Sequence, residues 1–306
     1  MIDSVRCQDS TEWRSLVVDD SVSGLSTETL KWVTNDERFV VVRNRMNLGP
    51  ARSWNIGVAE ILRRDAQLVA VTVVHADDRL HSTFVRISLN AHRKFPTATA
   101  VHSAVVTINQ SGRPTMHLRD VAKRVLRPSN VSPVFRSTGD AGLAQILRGN
   151  FVFCPSLSYK VAGLVQPLFA ERLHQTMDLD LLARLLITGR PIVGVKNRLY
   201  YYRRHQRSLT FRNEERGLRF IEEATTYAEI SRVATRAGYI ESAHVAAKMK
   251  IVVLHCLYLL FRAIVRFEMS KVVSLRSQLR AIISTRRESL AQLTQRLTES
   301  QPEVPE

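Results

Sequence analysis

Acidic residues are scarce in this chain, 28 Asp and Glu against 44 Lys and Arg, which leaves a formal net charge of +16. A balance of that sign favours polyanionic partners: nucleotide phosphates, anionic lipid headgroups or nucleic acid. Cysteine is scarce as well. Cys7, Cys154 and Cys256 are far apart, odd in number and without CxxC spacing, which excludes a disulfide framework and a zinc cluster and points to a reducing, cytoplasmic setting. Long apolar runs are missing. The N-terminal segment Met1 to Trp13 has no apolar core of the kind an export signal needs. The longest run, Ile251 to Val265, is interrupted by His255 and Arg262 and falls short of the ~20 residues that cross a bilayer. Hydrolase and nucleotidase signatures are absent too: there is no GxSxG elbow and no GxxxxGK loop, and the one His-Cys neighbour pair, His255-Cys256, lies in an apolar helical stretch. No recognised nucleic-acid-binding motif accompanies the positive charge, so nucleic acid is not the expected partner.

What is present suits a folded protein. With 306 residues and 45% hydrophobic content, the chain can build one large domain, or a domain with an appendage. Ser15 to Val18 is a short β-prone run ending in Asp19-Asp20, and Phe39 to Val42 repeats the pattern before Arg43-Asn44. Asn47-Leu48-Gly49-Pro50 then punctuates the start of a helix over about 51–64, with Pro50 in the first turn, where its missing amide hydrogen costs nothing. Leu68 to Val74 predicts a third strand, ending at His75. Strands alternating with helices predict an α/β fold with a mainly parallel sheet, whose ligand crevice lies beyond the carboxyl ends of the strands.

Further along, Ala98 to Ile108 reads as a strand, Asn109 to Gly112 as a turn, and Pro114 to Leu118 as a returning hairpin partner. Arg119 to Pro133 is basic and proline-containing, a surface loop. Helices are expected over about 142–147 and 178–187, with sheet material at Ile192 to Val195 and Leu199 to Tyr202. From Asn213 to about Leu297 the periodicity is helical, with no proline. A boundary is therefore placed near residue 212, separating a domain of 1–212 from an all-helical extension of 213–306.

Three polar marks end apolar runs. His75-Ala76-Asp77-Asp78 follows a strand, so Asp77 can present a carboxylate to a magnesium or manganese ion, which takes one or two protein carboxylates and fills its octahedron with phosphate oxygens and water. The alternative is that Asp77 and Asp78 cap a helix starting near Leu80. Met177-Asp178-Leu179-Asp180 opens a helix, where the macrodipole favours ionised carboxylates. Asp178 can act there as a base, or both acids can serve the first turn alone; spaced two apart, they do not point at one atom. In Tyr201 to Thr210, Arg203, Arg204 and Arg207 can neutralise phosphates, and His205 can complete a metal shell through a neutral imidazole.

In order, these marks resemble the family 2 glycosyltransferases of the GT-A fold, inverting enzymes that use nucleotide-sugar donors. Leu16 to Gly24 resembles their strand-Asp-Asp-turn, Asn47 to Gly57 their Asn-Gly helix start, and His75 to Asp78 their DxD motif. Asn150 to Lys160 resembles their acceptor-side loop, Met177-Asp178 their catalytic acidic pair, and Tyr202 to Thr210 their histidine segment. The resemblance implies Asp178 as general base and Asp77 with His205 holding a divalent metal, Mg2+ or Mn2+. It implies Asp19, Asp20, Asn47, Gly49, Asn55, His75 and Arg203 around the donor, and Ser156 and Tyr159 on the acceptor side. The partners it implies are a nucleotide-sugar donor and a saccharide or glycolipid acceptor, as in cell-envelope polysaccharide assembly.

Two departures accompany the likeness. His75 stands where the family motif usually has Asp. A strand and a Pro-Thr-Tyr-Asn-like loop that open the family pattern are not matched here, which is expected to reflect a start placed too far downstream; the alternative is a truncated, inactive binding or scaffold protein. In the helical extension, Lys248, Lys250, Arg262, Arg266 and Lys271 flank or interrupt an apolar stretch. That pattern suits a helix resting on anionic headgroups at the inner face of the cell membrane, or one packed against its own domain or a second copy.

Overall fold

A computed structural model describes residues 1–116, 123, 125, 127, 134–204 and 219–299. The chain packs as two compact units. The first comprises Met1–Arg136, Phe151–Arg172 and Arg190–His205; the second comprises Ser137–Asn150, Leu173–Gly189 and Gln206–Glu306. The expected boundary at residue 212 lies outside the described residues.

In the first unit, β1 (Ser15–Asp19) and β2 (Phe39–Arg43) form a parallel pair in register from Ser15 opposite Phe39 to Asp19 opposite Arg43. α1 (Ile2–Arg6) precedes them, α2 (Thr27–Thr34) connects them, and Ser26 starts α2 by accepting the Thr29 amide at 3.2 Å. α3 (Pro50–Arg64) packs on β1. Gly57 permits that approach, because a Cβ there would lie 2.8 Å from Val18 Cγ2.

The larger sheet has the order β3 (Ala70–Thr72), β7 (Leu157–Lys160), β5 (Ala100–Ile108), β8 (Ile192–Arg203) and β4 (Arg79–Leu80), with β6 (Val134–Ser137) also paired to β8. It is mixed: the long β5–β8 pairing is parallel, whereas β3–β7, β5–β7 and β4–β8 are antiparallel. α4 (Phe84–Lys94) packs on β5 and β8, and the core gathers Val33, Phe39, Leu80, Phe84, Val101 and Tyr200. Each such side chain, removed from water, contributes on the order of 2 kcal/mol.

The strand pattern departs from the sequence expectation in three places. The run at 68–74 keeps only three residues in β3, because the rest turns out of the ladder toward His75. The helix expected near Leu80 begins at Phe84, and Arg79–Leu80 is instead a short edge strand. The two segments expected at 192–195 and 199–202 are one strand: β5 shifts register between His102 and Val105, and that irregularity carries β8 through its exposed Lys196–Arg198 stretch. The turn after β5 is as expected, with the Gly112 amide on the Asn109 carbonyl and Ile108 bridging Pro114. Most of 119–133 lies outside the described residues.

The second unit is helical. It contains α5 (Gly139–Leu147), α6 (Met177–Ile187), α7 (Arg219–Arg236), α8 (Ile240–Lys248), α9 (Lys250–Val265) and α10 (Met269–Glu299). Ala234, Ala243, Ala247 and Leu293 make a close-packed seam, since small residues let the α7, α8 and α10 backbones approach. Asp140 starts α8 from α5, accepting the Glu241 and Ser242 amides at 2.9 and 2.7 Å.

Candidate active site

The β1 strand delivers its two acids to different tasks. Asp19 is buried, accepts the Ser21 amide and hydroxyl, and lies 3.7 Å from Arg43 Nε. Burial alone would raise its pKa, but the Ser21 bonds and Arg43 hold it below the usual carboxylate value. Asp20 organises the corner leading into α3. Its Oδ1 accepts Leu48 N at 2.8 Å and Asn44 Nδ2 at 2.9 Å, and its Oδ2 accepts Gly49 N at 2.9 Å. Burial opposes these bonds and loses, so Asp20 also stays ionised.

Asn47 donates to the Asp20 carbonyl, while Asn44 also reaches Ser53 Oγ at 3.0 Å. Gly49 has φ 78° and ψ 170°, a region open to glycine alone, which lets its amide face Asp20 while Pro50 begins the helix. Asp20, Asn47 and Gly49 are thus brought together. Asn55, one turn further on, is engaged by the 166–169 loop: its amide donates to Phe169 O at 2.8 Å and its carbonyl accepts Phe169 N at 2.9 Å. It borders an apolar groove of about 270 Å³ shared with Ile56, Val58 and Leu168.

After β3 the chain turns through His75 to Asp78. His75 stacks on Trp54 at 4.8 Å, its Nδ1 lies 3.6 Å from Asp78 Oδ2, and its buried Nε2 has no hydrogen-bond partner among the described residues. Burial pushes its pKa down to about 4, so the ring is neutral. Asp78 is not a helix cap. It is 1% exposed and accepts Tyr200 OH at 2.8 Å and Arg203 N at 2.7 Å, tying the turn to β8; burial raises its pKa to about 6. Asp77 beside it is exposed. The Arg203 guanidinium braces this corner, donating to the carbonyls of Asp77, Asn109 and Gln110 at 2.7, 2.8 and 2.8 Å.

Ser156 and Tyr159, expected beside the acceptor, are 1% and 0% exposed, with Ser156 Oγ on the Phe153 carbonyl and the Tyr159 ring against Phe169. Both side chains are therefore placed inside the fold: Tyr159 stands on β7, and Ser156 ends the single helical turn Cys154–Ser156 that leads into it. His205 and Arg207 lie outside the described residues.

Asp178 belongs to the second unit, in the first turn of α6. Its Oδ2 accepts Asn150 Nδ2 at 3.2 Å and its Oδ1 lies 2.8 Å from the Leu179 amide. Asp180 is occupied elsewhere, paired with Arg184 at 2.9 Å one turn along, so the two acids are separated as their spacing predicts. The start of α6 is capped from another helix. Glu222 of α7 accepts the amides of His174, Gln175 and Thr176 at 3.0, 2.7 and 2.9 Å, and the Thr176 hydroxyl at 3.0 Å. Sequence reading missed Asn44, Ser53, Tyr200 and Glu222. Only Asn44 carried a local signal, standing where the β2 run stops.

Among the described residues no three His, Cys, Asp or Glu side chains cluster to hold a metal. A magnesium- or manganese-type ion does not need such a cluster when a substrate phosphate and water complete the shell. The exposed Asp77 carboxylate fits that use.

Comparison with known proteins adds the following. The model of Glycosyl transferase family 2 matches residues 1–158, just over half the chain. No curated protein sequence matches. Among solved structures, S. aureus TarS aligns with a TM-score of 0.54 at 16% identity, covering 81% of this chain and 39% of that one. This chain therefore spans well under half the length of that protein. TarS 1-349 in complex with UDP aligns at 0.51 and 14% identity, covering 94% and 86%. A mannosyltransferase, PcManGT from Pyrobaculum calidifontis in complex with GDP-Man and Mn2+, aligns at 0.51 and 12% identity, covering 98% and 83%. At these identities the likeness is one of fold.

Proposed function

The chain belongs to glycosyl transferase family 2 and has the GT-A fold, and from that premise we propose an inverting glycosyltransferase that moves a sugar from a nucleoside-diphosphate donor to a hydroxyl of a saccharide or lipid-linked acceptor. The observation that carries this reading is the family match over 1–158, the segment holding Asp19, Asp20 and Asp77 at or just beyond the carboxyl ends of β1 and β3. Ligands of α/β sheets bind at such ends. Solved relatives of the fold bound to UDP and to GDP-Man with Mn2+ support a nucleotide-sugar donor and a divalent ion.

Each residue has a role in this reading. Asp19 and Asp20 contact the nucleoside, with Asp20 also holding the loop of Asn47 and Gly49 in place; Asn55, His75 and Arg203 shape the donor side through the loops they brace. Ser156 and Tyr159 support the acceptor side from within the fold. Asp178 takes the proton of the acceptor hydroxyl as its oxygen bonds to the anomeric carbon; the bond from that carbon to the diphosphate breaks, and its electron pair leaves on phosphate. Asp77 and His205 are the residues that would hold Mg2+ or Mn2+, which when bound offsets the charge of the departing diphosphate. The catalytic domain is assigned to 1–212 and the helical extension to 213–306. Envelope polysaccharide assembly on the cytoplasmic side, at the inner face of the membrane, is the setting that suits a basic chain with a lipid-linked acceptor.

The test is calorimetric titration with UDP- and GDP-sugars, with and without Mn2+, alongside transfer assays. Asp77→Ala should weaken donor binding and remove its dependence on the ion. Asp178→Asn should retain donor binding and lose about a thousand-fold or more in turnover. Full turnover in Asp178→Asn would remove the base from the proposal, and absence of donor binding by the unmodified chain would remove the enzyme.

A further inference from the structure

α9 is apolar on two opposite faces. Val252, Cys256, Leu259 and Ala263 are buried, and the helix packs against α7 and α10. Leu254, Leu257, Tyr258, Phe261, Ile264 and Val265 point the other way and are exposed, with Phe261 at 66%. At about 100° per residue those six fall within an arc of roughly 120°. The stripe continues past the helix end through Phe267, Met269 and Val273, all exposed. A contiguous surface of this kind marks an interaction site on a folded chain.

The turn between α9 and α10 adds a second observation. Phe267 has φ 56°, and the Glu268 amide bonds back to Ala263 O at 2.9 Å, a helix stop at which glycine is the usual residue. Here the position carries a phenyl ring that is 81% exposed. Neither the left-handed backbone nor the exposed ring favours the isolated chain, whereas a ring at the tip of a hairpin is well placed to enter an apolar phase.

Charge identifies the occupant. Lys250, Arg262, Arg266, Lys271 and Arg276 are exposed around this stripe, and Glu268, paired with Lys271, is the single acid between residues 250 and 276. A second copy would set the same cations against one another, on a chain already at +16. Anionic headgroups neutralise them. No described helix is long and apolar enough to cross a membrane. We propose that the α9–α10 hairpin docks the chain on the surface of an anionic bilayer, with Phe261, Val265 and Phe267 entering the headgroup boundary and the flanking cations meeting lipid phosphates. This gives the membrane setting above a specific surface, and it does not depend on the chemistry of Asp178.

Cosedimentation of the full chain with phosphatidylcholine vesicles, with and without phosphatidylglycerol, tests it without any sugar transfer. Binding is expected only with phosphatidylglycerol. Phe261→Ser with Phe267→Ser should weaken it at least about ten-fold, and neutralising Arg262, Arg266 and Lys271 to Gln should weaken it by roughly five-fold per cation. Phe261→Trp should shift its emission to the blue on those vesicles and be quenched by brominated lipid, measured against the wild-type spectrum. No binding to phosphatidylglycerol vesicles, or serine and glutamine variants that bind as well as wild type, overturns the proposal. So does a dimer in sedimentation equilibrium that Phe261→Ser dissolves in the absence of lipid, which would make a second copy the occupant.

Discussion

Removing the Glu222 carboxylate should loosen the start of the helix that carries Asp178. Four donors converge on that carboxylate: the amides of His174, Gln175 and Thr176 and the Thr176 hydroxyl, all within 3.0 Å. His174 is exposed, so water replaces its bond at little cost. Thr176 is 4% exposed, and its amide and hydroxyl lose a charged partner where water is scarce, although Thr226 Oγ1 at 2.7 Å still serves the hydroxyl. An N-cap contributes about 1 kcal/mol, the charge at the helix start about 0.5 kcal/mol, and a buried amide left unpaired about 1–3 kcal/mol. Glu222→Ala should therefore cost about 3 kcal/mol, or roughly 5 °C in Tm for a chain of this size. Glu222→Gln keeps one acceptor oxygen and loses the charge, so about half that loss is expected. Urea and thermal unfolding followed by circular dichroism measure both. A Glu222→Ala protein that melts within a degree or so of wild type, or a Glu222→Gln protein that falls as far as Glu222→Ala, would refute the reasoning.

Gly49→Ala should cost about 2 kcal/mol from backbone strain alone, since an added Cβ meets nothing within 4 Å, and a neutral result in urea unfolding would show that the loop relaxes freely. His92 is 2% exposed with Nε2 3.0 Å from Ser158 Oγ, and burial first, Lys160 second, lowers its pKa from 6.5 to about 4. The unfolded chain binds that proton more readily, so the stabilisation is complete above pH 6.5 and lost as pH falls through 4, about 3 kcal/mol in all. His92→Gln should flatten the stability profile across that window, and an unchanged slope counts against it; buried His102, lowered to about 3, adds loss of the same sign. Arg203→Lys cannot reach the carbonyls of Asp77, Asn109 and Gln110 together, so hydrogen exchange at 75–78 and 109–112 should accelerate about ten-fold, with unaltered protection as the contrary result.

Local pattern was enough for the elements that carry their own signals. The apolar runs ending in Asp19-Asp20 and before His75, the Gly49-Pro50 helix start and the first-turn position of Asp178 were all legible, because β-branched runs, glycine and proline act on the backbone within a few residues. The turn at 109–112 was legible for the same reason. Lengths and breaks were less so: Lys196–Arg198 looks like an interruption, yet a register shift in β5, far away in sequence, carries β8 across it.

What each polar group does depended on partners that no window contains. Asp78 reads as a cap and is a buried acceptor for Tyr200, 122 residues away. The burial of Tyr159 on β7, and of Ser156 just before it, belongs to a sheet whose strand order the sequence does not state. The sequence alone determined the α/β alternation, the strand-end acids, the positive charge and a helical C-terminal stretch. Tertiary packing decided that α9 keeps one apolar face bare and that Glu222 caps α6, because burial and pairing energies belong to contacts between distant segments and arise only once the chain has closed around its core.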